Sequence, residues 1–109
     1  MPVKWINSAM YSWNRDALEA APEMDGVYAI LSKHQRLYIG KGNIKQRLIS
    51  HWNKENGTDS CLWGNYPALC CWEICSTPDA REAELVRDFP TRCNSVMLDV
   101  TSVFPPRRQ

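Results

Sequence analysis

The chain has 109 residues, of which 44% are hydrophobic and 23% charged, with seven Pro and five Gly; this suits one globular domain over 1–109 and excludes collagen-like and low-complexity chains. No apolar run approaches the roughly 18 residues of a membrane helix, and the N-terminus lacks the apolar stretch of a secretory signal, so no membrane and a cytoplasmic location are expected. The net charge is +1, but Gly26 to Lys54 contains no acidic residue and carries Lys33, Arg36, Lys41, Lys45, Arg47 and Lys54, a distribution that suits either a polyanion-binding face or a plain solvated surface.

Residues 1–13 hold Trp5, Tyr11 and Trp13 without a clear period. Asp16 to Ala21 is helix-prone and stops at Pro22. Gly26 to Ser32 reads as a strand behind an Asp-Gly turn signal, and Arg36 to Gly40 as a second. The short polar break between them predicts an antiparallel hairpin. From Ile44 to about Lys54 the period becomes helical, with Ile44, Leu48 and Trp52 at i, i+4, i+8. Residues 55–67 read as loop. Ala68 to Ile74 is expected as a third strand. Thr77 is the expected N-cap of a helix starting at Pro78 and ending near Phe89. The alternation of Val96, Leu98 and Val100 predicts a fourth strand or an extended tail. Together these elements predict a small α+β sheet flanked by helices.

Gly40-Lys41-Gly42 lacks the spacing of a phosphate loop, and its glycines are expected to turn the backbone from strand into helix. On the next helix, at about 100° per residue, Arg47 and His51 flank the apolar stripe. They are either a snorkelling arginine beside a hydrogen-bonded core histidine, or a site for an anion. On the last helix, Glu82 falls with Leu85, Val86 and Phe89 along the inward stripe, and Glu84 faces solvent. An inward carboxylate needs a partner, such as Arg47, or a hard divalent cation. The five cysteines are odd in number and lack metal-ligand spacing, so free thiols filling the core are expected, without a disulfide. Trp63, in the loop, is the tryptophan available for base stacking.

Gly26-Val27-Tyr28, Tyr38-Ile39-Gly40, Arg47, His51, Glu82 and Asn94, in that order, resemble the GIY-YIG nuclease domain family, which includes a repair incision domain, homing endonucleases and restriction enzymes. The resemblance spans a core at 26–94, leaving 1–25 as an N-terminal extension and 95–109 as a C-terminal strand or tail. It implies an antiparallel or mixed three-stranded sheet flanked by helices and a DNA endonuclease using one Mg²⁺ or Mn²⁺. The family's tyrosines fall on Tyr28 and Tyr38, its arginine on Arg47, its metal carboxylate on Glu82, and its structural residues on Gly26, Gly40 and Asn94. Lys41 matches a lysine of the repair branch.

On that basis Tyr28 is the expected general base, its phenolate favoured by Lys41, Arg47 and the metal. Tyr38 and His51 are expected to orient water or phosphate, with His51 sharing the base role. Lys41, Lys45 and Arg47 are expected to meet DNA phosphates. One site nicks one strand, and a homodimer or a partner protein is expected to supply specificity. The alternative is a catalytically inactive module that binds nucleic acid or a partner protein. A Cys/His zinc protein is a third class, resting only on cysteine count.

Overall fold

The computed structural model describes residues 2–94. Its elements in chain order are β1 (Tyr11–Ser12), α1 (Arg15–Glu19), β2 (Asp25–Leu31), β3 (Arg36–Asn43), α2 (Ile44–Trp52), α3 (Asp59–Gly64), β4 (Leu69–Ile74) and α4 (Pro78–Asp88). The strands form one antiparallel sheet in the order β1-β4-β2-β3. The hairpin, the following helix and the third strand fall where the sequence pattern puts them. Three things differ. Tyr11 and Ser12 pair with Cys70 and Leu69, so the sheet has four strands where three were expected. The 55–67 segment, read as loop, contains α3. Thr77 makes no side-chain capping bond, so Pro78 alone marks the start of α4. The expected strand around Val96 to Val100 lies outside the described residues. Among the described residues, no helix is long and apolar enough to cross a membrane.

Strand alternation splits β2 between two cores. Tyr28 and Ile30 join Cys70, Leu18, Ile44, Leu48 and Leu62 under α1, α2 and α3. Val27, Ala29 and Leu31 join Cys71, Ile39 and Leu85 under α4 and the N-terminal segment. Cys70 and Cys71 thus fill opposite cores, as expected of neighbours in a strand. On α4 the buried residue is Leu85, while Val86 is exposed. The inward stripe is therefore rotated from the expected one, and Glu82 sits on its flank.

Two polar devices close the fold. Asn43 caps α2 by accepting from the Gln46 amide at 3.1 Å. Asn94 closes the edge strand: its amide oxygen accepts from Ile39 N and its NH₂ donates to Ile39 O, each at 2.9 Å. These are the two bonds a neighbouring strand would make. The adjacent Cys93 N donates to Leu37 O at 2.7 Å. Cys93 is also disulfide-bonded to Cys61 of α3, with Cα atoms 5.7 Å apart. This overturns the expectation of five free thiols. An odd count leaves room for one bridge, and only the approach of α3 to the β3 edge brings these two residues within range. Cys70, Cys71 and Cys75 are free.

Candidate active site

The site is built around Gly40. Tyr28 and Gly40 are cross-strand partners, and a Cβ at residue 40 would overlap the Tyr28 hydroxyl and ring carbon. The missing side chain leaves that space to the Tyr28 ring. Gly42 does what was expected of both glycines: its φ of +124° turns β3 into α2.

Tyr28 is fully buried, so its hydroxyl requires a partner. His51 supplies one, with Nε2 at 2.8 Å from the phenol oxygen. His51 is itself fully buried, and its Nδ1 lies 2.6 Å from Asp59 Oδ1. Asp59 is 2% exposed. Its Oδ2 accepts from the Asn56 backbone N–H at 2.8 Å and from Asn56 Nδ2 at 3.1 Å. The amide oxygen of Asn56 accepts from Arg47 Nη2 at 2.8 Å. One continuous chain of hydrogen bonds thus runs Tyr28, His51, Asp59, Asn56, Arg47. Tyr38 packs beside it, its ring centroid 5.1 Å from that of His51 and 6.2 Å from that of Tyr28.

Glu82 lies on α4, in the other layer. Its carboxylate is 26% exposed and stands 4.0 Å from Lys41 Nζ, whose shorter contact, 2.7 Å, is to Asp79. The charge of Glu82 is nonetheless felt by Tyr38 and Tyr28 across the layers.

The electrostatics differ from expectation at Tyr28. Burial, then the neighbouring Tyr38, pushes its phenol above the ordinary range, and the nearby Arg47 only partly offsets this. The phenolate is therefore disfavoured in this setting, because desolvation outweighs the single cation. Burial likewise pushes Tyr38 up, with Glu82 adding to it. Burial holds His51 below its ordinary value even against Asp59, so its neutral form is favoured. Burial raises Glu82, and Lys41 works against that.

Tyr28, Tyr38, Arg47 and His51 are thus brought together around a buried Tyr28 and His51, and Glu82 reaches them through its charge from the other layer. The remaining basic residues are dispersed. Lys45 Nζ lies 3.7 Å from Glu19 on α1. Arg36 packs over Trp5 and Phe89 at 4.6 and 4.9 Å. Lys54 covers the Trp63 ring at 5.0 Å. Trp63 also packs against Trp52 and Trp13 and donates Nε1–H to His51 O at 3.0 Å. It buttresses α2 and is not the free stacking surface expected of it.

Asp59 and Asn56 escaped the sequence reading. Their signal was the Asn-x-x-Asp spacing, in which the later side chain reaches back to the earlier backbone N–H, as in a capping box.

Among the described residues, no three His, Cys, Asp or Glu side chains cluster as a metal site. Glu82 fits a single hard cation in another way. Its carboxylate is half-buried, is raised by desolvation and has only a 4.0 Å contact with Lys41. That suits a divalent ion held by one carboxylate and keeping several waters.

Comparison with known proteins agrees with this fold. A family model described as the GIY-YIG catalytic domain matches residues 24–89. The chain is similar to the magnesium-bound GIY-YIG N-terminal endonuclease domain of UvrC from Thermotoga maritima, with TM-score 0.63 and 24% identity over 73% of this chain and 93% of that one. An asparagine point mutant of the same domain aligns with TM-score 0.59 and 25% identity, over 72% and 90%. A tyrosine point mutant aligns with TM-score 0.63 and 23% identity, over 73% and 93%. The comparison with curated proteins gives no match.

Proposed function

The chain belongs to the GIY-YIG catalytic domain family, and on that premise we propose that it is a metal-dependent DNA endonuclease hydrolysing one phosphodiester per active site. The observation that carries the reading is the clustering of Tyr28, Tyr38 and His51, with the charges of Arg47 and Glu82 within electrostatic reach of both tyrosines. A module that only bound nucleic acid would gain no phosphate contact from a tyrosine and a histidine that are both fully buried.

Glu82 would hold the divalent cation, Mg²⁺ or Mn²⁺; the magnesium named for the Thermotoga domain supports that choice. Such an ion, when bound, supplies charge to the phosphate and the leaving oxygen. The remaining chemistry belongs to side chains. Arg47 spends one N–H on Asn56, and its planar fork keeps further donors for a phosphate. Tyr28 faces His51 Nε2, so its proton has a place to go. Burial disfavours both a phenolate at Tyr28 and an imidazolium at His51; the Asp59 carboxylate beside Nδ1 offsets part of that cost when Tyr28 passes its proton to His51 and the phenol oxygen takes one from the attacking water. Tyr38, at the edge of both rings, orients the water or the phosphate. Lys41 and Lys45 add positive charge for the DNA backbone. Cutting both strands requires two copies or a partner protein.

The test is incubation with supercoiled plasmid and Mg²⁺ or Mn²⁺ beside an EDTA control. Metal-dependent conversion to open circles is the expected result. DNA binding without cutting under every metal condition would leave the inactive module as the better reading.

A further inference from the structure

We propose that Asp59 and Asn56 are positioning residues: Asp59 fixes His51 as the Nδ1–H tautomer so that Nε2 receives the Tyr28 proton, and Asn56 holds that carboxylate and the Arg47 guanidinium in one frame. The inference rests on the nuclease reading for its catalytic consequence, but its geometry stands by itself.

The hydrogen-bond directions follow from chemistry. Arg47 can only donate, so the atom of Asn56 that faces Arg47 Nη2 at 2.8 Å is the amide oxygen. The Asn56 NH₂ is thereby turned to Asp59 Oδ2 at 3.1 Å and Ser50 Oγ at 3.0 Å. Asp59 Oδ2 also receives the Asn56 backbone N–H, so that oxygen meets two donors. The other carboxylate oxygen lies 2.6 Å from His51 Nδ1. A carboxylate offers only acceptors, so Nδ1 must carry the hydrogen. Asn56 Nδ2 also stands 3.3 Å from Nδ1. That longer, uncharged contact loses to the charge-assisted one. A neutral imidazole protonated at Nδ1 has its lone pair on Nε2, so the Tyr28 hydroxyl donates across the 2.8 Å gap. The proton therefore has one direction to move, from Tyr28 oxygen to His51 Nε2. The product imidazolium stays beside the Asp59 carboxylate, and the bond broken at Tyr28 O–H is replaced by the bond formed at Nε2.

The isosteric substitution Asp59→Asn separates this from a packing role. The two Asn56 donors require an oxygen at the Oδ2 position. The new amide must then turn its NH₂ toward His51 Nδ1. The imidazole is forced into the Nε2–H tautomer, and Tyr28 becomes the acceptor of a hydrogen bond and keeps its proton. The His51 tautomer is read from ring ¹⁵N chemical shifts of the labelled full chain, without metal or DNA. The nicking rate is read on plasmid, with folding checked by amide spectra. We expect Nδ1–H in the unmodified protein, and Nε2–H in Asp59→Asn with a rate loss of about 10²–10⁴-fold. Asn56→Ala should keep Nδ1–H, because Asp59 Oδ1 remains, yet lower the rate about tenfold through the loosened Arg47. An Nε2–H ring in the unmodified protein overturns the proposal, even if Asp59→Asn fails to fold. So does a flipped tautomer that leaves the rate unchanged. A protein that never nicks refutes the nuclease reading instead, and the tautomer measurement still decides whether Asp59 directs His51.

Discussion

The Tyr28 ring occupies the volume that a side chain on its cross-strand partner Gly40 would need. This relationship ties a backbone requirement to a chemical one: the strand can hold a buried phenol on His51 only if residue 40 has no Cβ. Gly40→Ala must push the ring away or spread the strands. Overpacking of this kind costs about 1–3 kcal/mol, and displacement of the hydroxyl should remove nicking even where folding survives. Gly64→Ala is the matched control, because a Cβ there meets nothing within 4 Å; it should leave both melting temperature and nicking near the parent values. Thermal melts and plasmid assays on the two variants check this.

Glu82→Ala should abolish cleavage while preserving the fold, since it removes a half-buried carboxylate that desolvation penalises and leaves a good helix former in α4. DNA binding should persist through Arg47 and Lys41. Glu84 is two residues away and bonded to Arg81 at 2.8 Å. Glu84→Ala should cost only about 0.2–0.5 kcal/mol and leave cutting intact. Nicking and gel-shift measurements on both variants decide the register of α4. Loss of cutting in Glu84→Ala but not in Glu82→Ala would mean that the wrong carboxylate has been assigned.

The buried pair makes stability depend on pH at both ends. Burial lowers His51, so near and below its unfolded pKa of about 6.5 the unfolded chain binds more protons than the folded one. Stability should therefore fall as pH drops through that range. Burial raises Tyr28, Tyr38 and the thiols of Cys70 and Cys71, so the folded state keeps protons where the unfolded chain begins to lose them. Stability should fall again as pH rises above about 8.5, where unfolded thiols and then phenols lose their protons. Denaturation midpoints from pH 5 to 11 check both limbs. His51→Gln should flatten the acid limb, and Tyr28→Phe should reduce the alkaline one, the remainder belonging to Tyr38, Cys70 and Cys71.

The Cys61–Cys93 bridge closes a loop with a sequence separation of 32. A constraint of that length on the unfolded chain is worth about 3–4 kcal/mol. Reduction, or the double change Cys61→Ser with Cys93→Ser, should lower stability by that order. The loss should be greatest around α3 and the Asn94 contacts to Ile39, because the bridge joins those two regions. Chemical denaturation with and without reductant gives the total, and amide exchange locates it. An unchanged midpoint would mean that the bridge does not constrain the chain in solution.

The local sequence determined those elements whose physics is local. The unbroken apolar run from Gly26 to Leu31, with its β-branched and aromatic residues, marks a strand buried on both faces. The i, i+4, i+8 apolar residues of α2 mark its inner face, with Asn43 and Gly42 shaping its entry. The ordered motifs from Tyr28 to Asn94 pointed to the family, because each short pattern carries a distinct backbone or chemical demand. What only the tertiary structure decided involves partners distant in sequence or faces that local periodicity blurs. The two-residue β1 has no pattern of its own and exists through pairing with β4. The orientation of α4 follows Leu85 packing on the sheet, which rotated the inward stripe away from Val86. Cys61 and Cys93 meet because α3 folds back against the β3 edge. Asp59 in particular reads from sequence as one polar residue in a loop. It becomes the partner of His51 only when α3 buries it, since a carboxylate removed from water must find donors and the nearest are the imidazole and Asn56.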